Sequence, residues 1–86
     1  MALQDKYNFE DLVNEAERIV LDELERQLTD DPGQDEILDM AAYALNNIRP
    51  RYRVNLLGRL YTRSTDESYQ QDVESAVREA ILKVRS

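Results

Sequence analysis

The sequence predicts an α/β domain of the α+β kind, with three helices and a two-stranded β-hairpin between the second and third helix. Three observations predict it. Apolar residues recur at three- and four-residue steps in three separate segments. Between the second and third of these the apolar period falls to two. The breakers Pro32, Gly33, Pro50 and Gly58 fall between the periodic stretches.

The first helix is expected to start at Asn8, an N-cap residue, with Asp11 three positions on and Tyr7 and Leu12 placed for a hydrophobic staple. Phe9, Leu12, Val13, Ala16, Ile19, Val20, Leu24 and Leu28 then form one apolar stripe. "TDDPG" ends that helix and opens the next, with Asp31 as N-cap, Pro32 at the first helical position and Gln34 as return partner. Ile37, Ala41, Ala44, Leu45 and Ile48 make the second inner face, which stops before Pro50. The last helix is expected to begin near Ser64 or Ser68. Its inner face is Tyr69, Val73, Ala76, Val77, Ala80, Ile81 and Val84. Alanines at facing positions let the second and third helices approach closely.

In "RYRVN" Tyr52 and Val54 alternate with Arg51, Arg53 and Asn55, and in "RLYTR" Leu60 and Thr62 alternate with Arg59, Tyr61 and Arg63. Gly58 supplies the turn. The alternation predicts that Tyr52, Val54 and Leu60 face the helices, while Arg51, Arg53, Arg59, Tyr61 and Arg63 face away. A lone two-stranded hairpin is marginal in water. It must therefore lie on the helices or pair with a second copy of itself.

With 86 residues, residues 1–86 form one domain with a thin core. No cysteine or histidine is present, so neither a disulfide nor a thiolate or imidazole metal site is available. Self-association is the remaining common route to more buried area, and a homodimer is expected. The N-terminal stretch has no apolar run of signal-peptide type, and no segment approaches a membrane span, so a soluble cytoplasmic protein without membrane contact is expected. The net charge of −7 argues against DNA or RNA as a partner.

That acidity is uneven. From Met40 to Thr65 there are five arginines and no acid, whereas all 18 acidic residues lie outside this stretch. Like charges facing one another across strands cost stability. They are tolerated where the fold's own carboxylates pair with them, or where an anion neutralises them. The choice of arginine favours an anion. Its planar fork grips phosphate at two points and its flat face stacks on rings. Tyr61 between Arg59 and Arg63 adds a π surface. Arg49, Arg51, Arg53, Arg59, Tyr61 and Arg63 thus suit a compact ligand bearing phosphates and purines. Catalysis is not expected: no phosphate-loop or dinucleotide glycine motif is possible with two glycines, and carboxylates and tyrosines have nothing to activate them. The acidic "TDDPGQDEILD" lacks the glycine and ligand spacing of a calcium loop.

The stretches "FEDLVNEAERIVLDEL", "DMAAYALNNIRPRYRVNLLGRLYTR" and "DVESAVREAILKV" resemble the ComFB family, through Asp39, Met40, Ala42, Ala44, Leu45, Asn46, Ile48, Pro50, Tyr52, Val54, Gly58 and Tyr61. The resemblance covers residues 8 to 85. It implies a small homodimeric domain without enzymatic activity. It further implies a receptor for cyclic dinucleotides, chiefly cyclic di-GMP (c-di-GMP) and alternatively c-di-AMP, that acts through an unidentified effector protein. Some members carry cysteines and zinc between the first two helices; here "TDDPGQDE" stands in that place, and no metal or cofactor is carried over. Asp39 matches the family motif, with Tyr43 four residues on. Its carboxylate can accept the N1–H and N2–H of a guanine beside the Tyr43 ring, or pair with a hairpin arginine. A rival reading from another class is a structural or regulatory dimer, an adaptor in competence or motility whose basic strip docks an acidic partner and which binds no nucleotide.

Overall fold

The structure, a computed structural model, describes residues 3–54 and 67–86. A short helix α1 (Leu3–Lys6) is followed by strand β1 (Leu12–Asn14) and helix α2 (Ala16–Gln27). Helix α3 (Gln34–Leu45), strand β2 (Tyr52–Val54) and helix α4 (Glu67–Arg85) complete the order. The three long helices, with a two-stranded antiparallel sheet, give the expected α+β class. Of the predicted hairpin, only the arm around Tyr52 to Val54 falls within the described residues; Gly58 and the arm from Arg59 to Arg63 lie outside them.

Among the described residues β2 pairs with β1, in the register Leu12↔Val54, Val13↔Arg53 and Asn14↔Tyr52. The ladder continues where the Glu15 amide donates to the Arg51 carbonyl at 2.7 Å. This corrects the start of the first long helix. Phe9, Leu12 and Val13 have helical spacing, but pairing with a distant strand overrides that local pattern. Asn8 still makes a local turn, its Oδ1 accepting the Glu10 amide at 2.8 Å. The residue that opens α2 is Asn14. Its Oδ1 accepts the Ala16 amide at 3.1 Å and the Arg51 amide at 2.9 Å, so one side chain serves a free helix-end donor and ties down β2.

Helix α3 begins at Gln34, after the extended Gly33, whose carbonyl accepts the Ile37 amide at 3.0 Å. Asp31 and Pro32 therefore precede the helix instead of capping it. Asp35 and Glu36 in its first turn complement the positive end of the helix dipole. Arg85 at the end of α4 reaches back to Asp30 at 2.7 Å and Glu36 at 2.8 Å, closing this end of the fold.

The core lies among α2, α3 and α4, with α3 packed most extensively on α4. Val20, Leu24, Met40, Val73 and Val77 are its largest fully buried side chains. Ala44, Ala76 and Ala80 are buried as well, which permits the close α3–α4 approach. Met40 sits three residues after Ile37 and four before Ala44. It occupies the centre of the α3 face, between residues that the pattern had already placed there.

Glu23 is also buried, only 4% exposed, at a position of the α2 stripe that would ordinarily be apolar. It accepts hydrogen bonds from Arg26 Nε at 3.0 Å, Gln27 Nε2 at 2.8 Å and Gln70 Nε2 at 3.3 Å. Gln27 Nε2 also donates to the Glu74 carbonyl at 3.1 Å. The polar cluster stitches α2 to α4. The Arg26 hydrogen bond leads in holding the Glu23 carboxyl below its usual value of 4.5, against the opposing effect of burial. A carboxyl lowered on folding stabilises the fold above its unfolded value, and that contribution fades as pH falls through the folded value. Chemical denaturation across acid pH should therefore show stability declining below about pH 4.5. Glu23→Gln should flatten part of that decline, and it should cost about 1–3 kcal/mol near neutrality.

Candidate functional site

The bend between α3 and β2 carries Arg49, Pro50 and Arg51 past the start of α4, where Tyr69 is buried at 3% exposure. Proline sets this path, because Pro50 forbids helix at the residue before it and has no N–H to pair. The Tyr69 hydroxyl donates to the Arg49 carbonyl at 2.8 Å and fixes the bend to α4. The Arg51 guanidinium lies 5.0 Å from the centre of the Tyr69 ring and that of Arg49 5.8 Å, both within cation–π range. Burial raises the Tyr69 phenol above its ordinary 10.0, with Arg51 and Arg49 acting against that rise. The hydroxyl remains protonated and a donor at neutral pH. Arg49, Pro50, Arg51 and Tyr69 together line a cleft of about 210 Å³.

The three arginines of this segment differ in their partners. Arg49 Nη2 lies 3.8 Å from Asp72 Oδ2, in a pair that is mostly solvent-exposed on both sides. Such a pair contributes about 0–1 kcal/mol and yields readily to a competing anion. Arg51 is half-buried, and among the described residues its guanidinium has no carboxylate partner. Arg53 turns inward. Its side chain is 22% exposed, and its Nε lies 3.7 Å from Oε2 of the buried Glu15. Its Nε and Nη1 are buried without a hydrogen-bond partner among the described residues.

The facing predicted by alternation is thus reversed at Tyr52, Arg53 and Val54. Tyr52 and Val54 are 66% and 52% exposed, beside the exposed Leu12 on the same face of the sheet. The reason is the cross-strand partner. Val13 opposite Arg53 and the buried carboxylate of Glu15 define the inner side, so Arg53 follows its countercharge. Removing one partner of a fully buried pair costs about 3–5 kcal/mol, whereas replacing both by apolar groups is often neutral. Glu15→Ala should therefore destabilise the protein by about 2 kcal/mol, the partial exposure of Arg53 reducing the figure. The double variant Glu15→Ala/Arg53→Met should recover most of that loss in urea denaturation.

Asp39 is exposed on α3, and its side chain makes no hydrogen bond or ion pair among the described residues. Tyr43 is turned toward α4, where its hydroxyl donates to Glu79 Oε1 at 3.1 Å. Desolvation first, and then Glu79, raises its phenol above 10.0. The structure thus brings Arg49 and Arg51 together with each other but joins neither Asp39 nor Tyr43 to them. Arg59, Tyr61 and Arg63 lie outside the described residues. Sequence reasoning assigned Tyr69 only to the core and left Glu15 out altogether. Tyr69 was detectable as a hydroxyl-bearing residue at the polar end of an otherwise aliphatic face. Glu15 carried a signal too, as an acid inside the first stripe directly before Ala16.

No curated protein and no solved structure matches the chain. The family model for the late competence development protein ComFB matches residues 13–86. That span begins within β1 and contains all three long helices and the Arg49–Arg51–Tyr69 cleft, and the chain therefore belongs to the ComFB family.

Proposed function

We propose that the protein is a non-enzymatic receptor for a cyclic dinucleotide, c-di-GMP before c-di-AMP, which acts in the cytoplasm through a partner protein. One observation carries this reading: two guanidiniums gathered at one tyrosine ring beside a small cleft, one of them without a carboxylate partner among the described residues. Arginine forks bind phosphate oxygens with charge-assisted hydrogen bonds. The Tyr69 ring is itself buried, so a purine in this cleft would stack on the guanidinium planes and not on the tyrosine. Bound ligand changes signalling only insofar as the partner prefers the occupied form.

The second reading, a dimeric interaction adaptor without a nucleotide ligand, is favoured by the outer face of the sheet. Leu12, Tyr52 and Val54 form an apolar strip where an open antiparallel sheet is ordinarily polar. Covering it with the same strip of a second copy would enlarge the thin core of a chain this size. Both readings share the homodimer. Titration calorimetry of the folded protein with c-di-GMP and with c-di-AMP separates them. Heat that saturates with either nucleotide supports the receptor, and no heat with both leaves the adaptor.

A further inference from the structure

The end of the helical layer remote from the arginine cleft carries a second surface. The last turns of α2, the connection to α3 and the first turn of α3 enclose an open groove of about 510 Å³. Leu21, Leu28 and Ile37 line it, over a floor of fully buried Leu24. Leu21 is 51% exposed. Apolar surface left in water favours burial by a partner, and Leu21 offers such surface beside the half-buried Leu28 and Ile37.

The rim has one sign of charge. Glu25, Asp30 and Asp31 border the groove. Asp30 is held by Arg85, while Glu25 and Asp31 have no cationic partner among the described residues. An apolar trough between unpaired carboxylates fits an amphipathic helix whose apolar face fills the groove and whose flanks are basic. A second copy joined to it groove against groove would set acid against acid.

We infer that this groove docks a basic amphipathic helix of a partner protein. The 12 residues of α3 span about 18 Å between the groove and the arginine cleft, so the two surfaces do not compete. The inference stands without the nucleotide reading, and its test contains no nucleotide.

The full chain, labelled with ¹⁵N, is titrated with a synthetic leucine–lysine peptide patterned as an amphipathic helix, and with the same peptide carrying glutamate for lysine. The lysine peptide is expected to shift amides centred on residues 21, 28 and 37, and the glutamate peptide to leave them in place. Leu21→Ser should weaken binding about tenfold, as loss of an apolar anchor does. Glu25→Lys/Asp31→Lys should weaken it independently, and Arg51→Ala should not. All the altered residues are exposed or half-buried, and circular dichroism verifies that the variants fold. The inference is overturned if the lysine peptide does not bind, or if its shifts spread over the acidic surface at large. It is equally overturned if the groove variants bind like wild type, or if the groove proves to be covered by a second copy.

Discussion

Arg51→Ala is expected to weaken c-di-GMP binding about 10- to 100-fold, the loss that follows when a charge-assisted contact of about 1.5–3 kcal/mol is removed. Arg51 leads because, among the described residues, it has no carboxylate partner to give up before it engages an anion. Arg49 must first release Asp72, and Arg53 faces the buried Glu15. The order of effects in calorimetry should therefore be Arg51→Ala, then Arg49→Ala. Arg51→Lys should restore only a small part of the affinity, because an ammonium keeps the charge but loses the two-point fork and the stacking plane. Full rescue by lysine would mean that charge alone is read. If Arg51→Ala unfolds the protein, the residue serves to cover Tyr69 rather than to bind a ligand. Unchanged helicity by circular dichroism excludes that outcome.

Met40→Ala should produce the largest loss of stability. Met40 is fully buried at the centre of the three-helix core, and truncating such a side chain costs about 2–5 kcal/mol. A loss of about 3 kcal/mol in a domain of this size moves the thermal midpoint by about 12–24 °C. Met40→Leu, which nearly conserves volume, should cost less than about 1.5 kcal/mol. Thermal unfolding of both variants checks the pair. A small effect of Met40→Ala would mean that α3 is not anchored through this residue.

The helices were legible because periodicity is a local signal that burial reinforces. Tyr69, Val73, Ala76, Val77 and Ala80 were placed on the inner face of α4 by spacing alone, and all are buried. The segment from Phe9 to Val13 was misread for a physical reason. Its apolar spacing satisfies a helix, but the chain turns from Phe9 to Leu12, and a strand some 40 residues away in sequence makes the extended form preferable at Leu12 and Val13. The reversal of Tyr52, Arg53 and Val54 has the same origin. Alternation shows that two faces differ, but a distant carboxylate, Glu15, decides which face turns inward. The site was legible in part. An arginine cluster could be seen in the sequence, but its division into a cleft pair on Tyr69 and an inward residue on Glu15 depends on tertiary packing.

A reversed strand also changes what the arginine-rich segment means. It is not one uniform basic strip. Arg53 is paired within the fold, and the outward positions beside it are apolar. What is left for a ligand among the described residues is narrower and more specific: two guanidiniums held at one ring, fixed by the Tyr69–Arg49 hydrogen bond.

The most direct measurement is a residue-resolved NMR titration of the folded protein with c-di-GMP, following the arginine Nε–Hε signals. Saturable shifts at Arg49 and Arg51, with the Tyr69 ring moving alongside, are the predicted result. Signals at both arginines that stay in place while the nucleotide is added, or shifts confined to another face, would contradict the account.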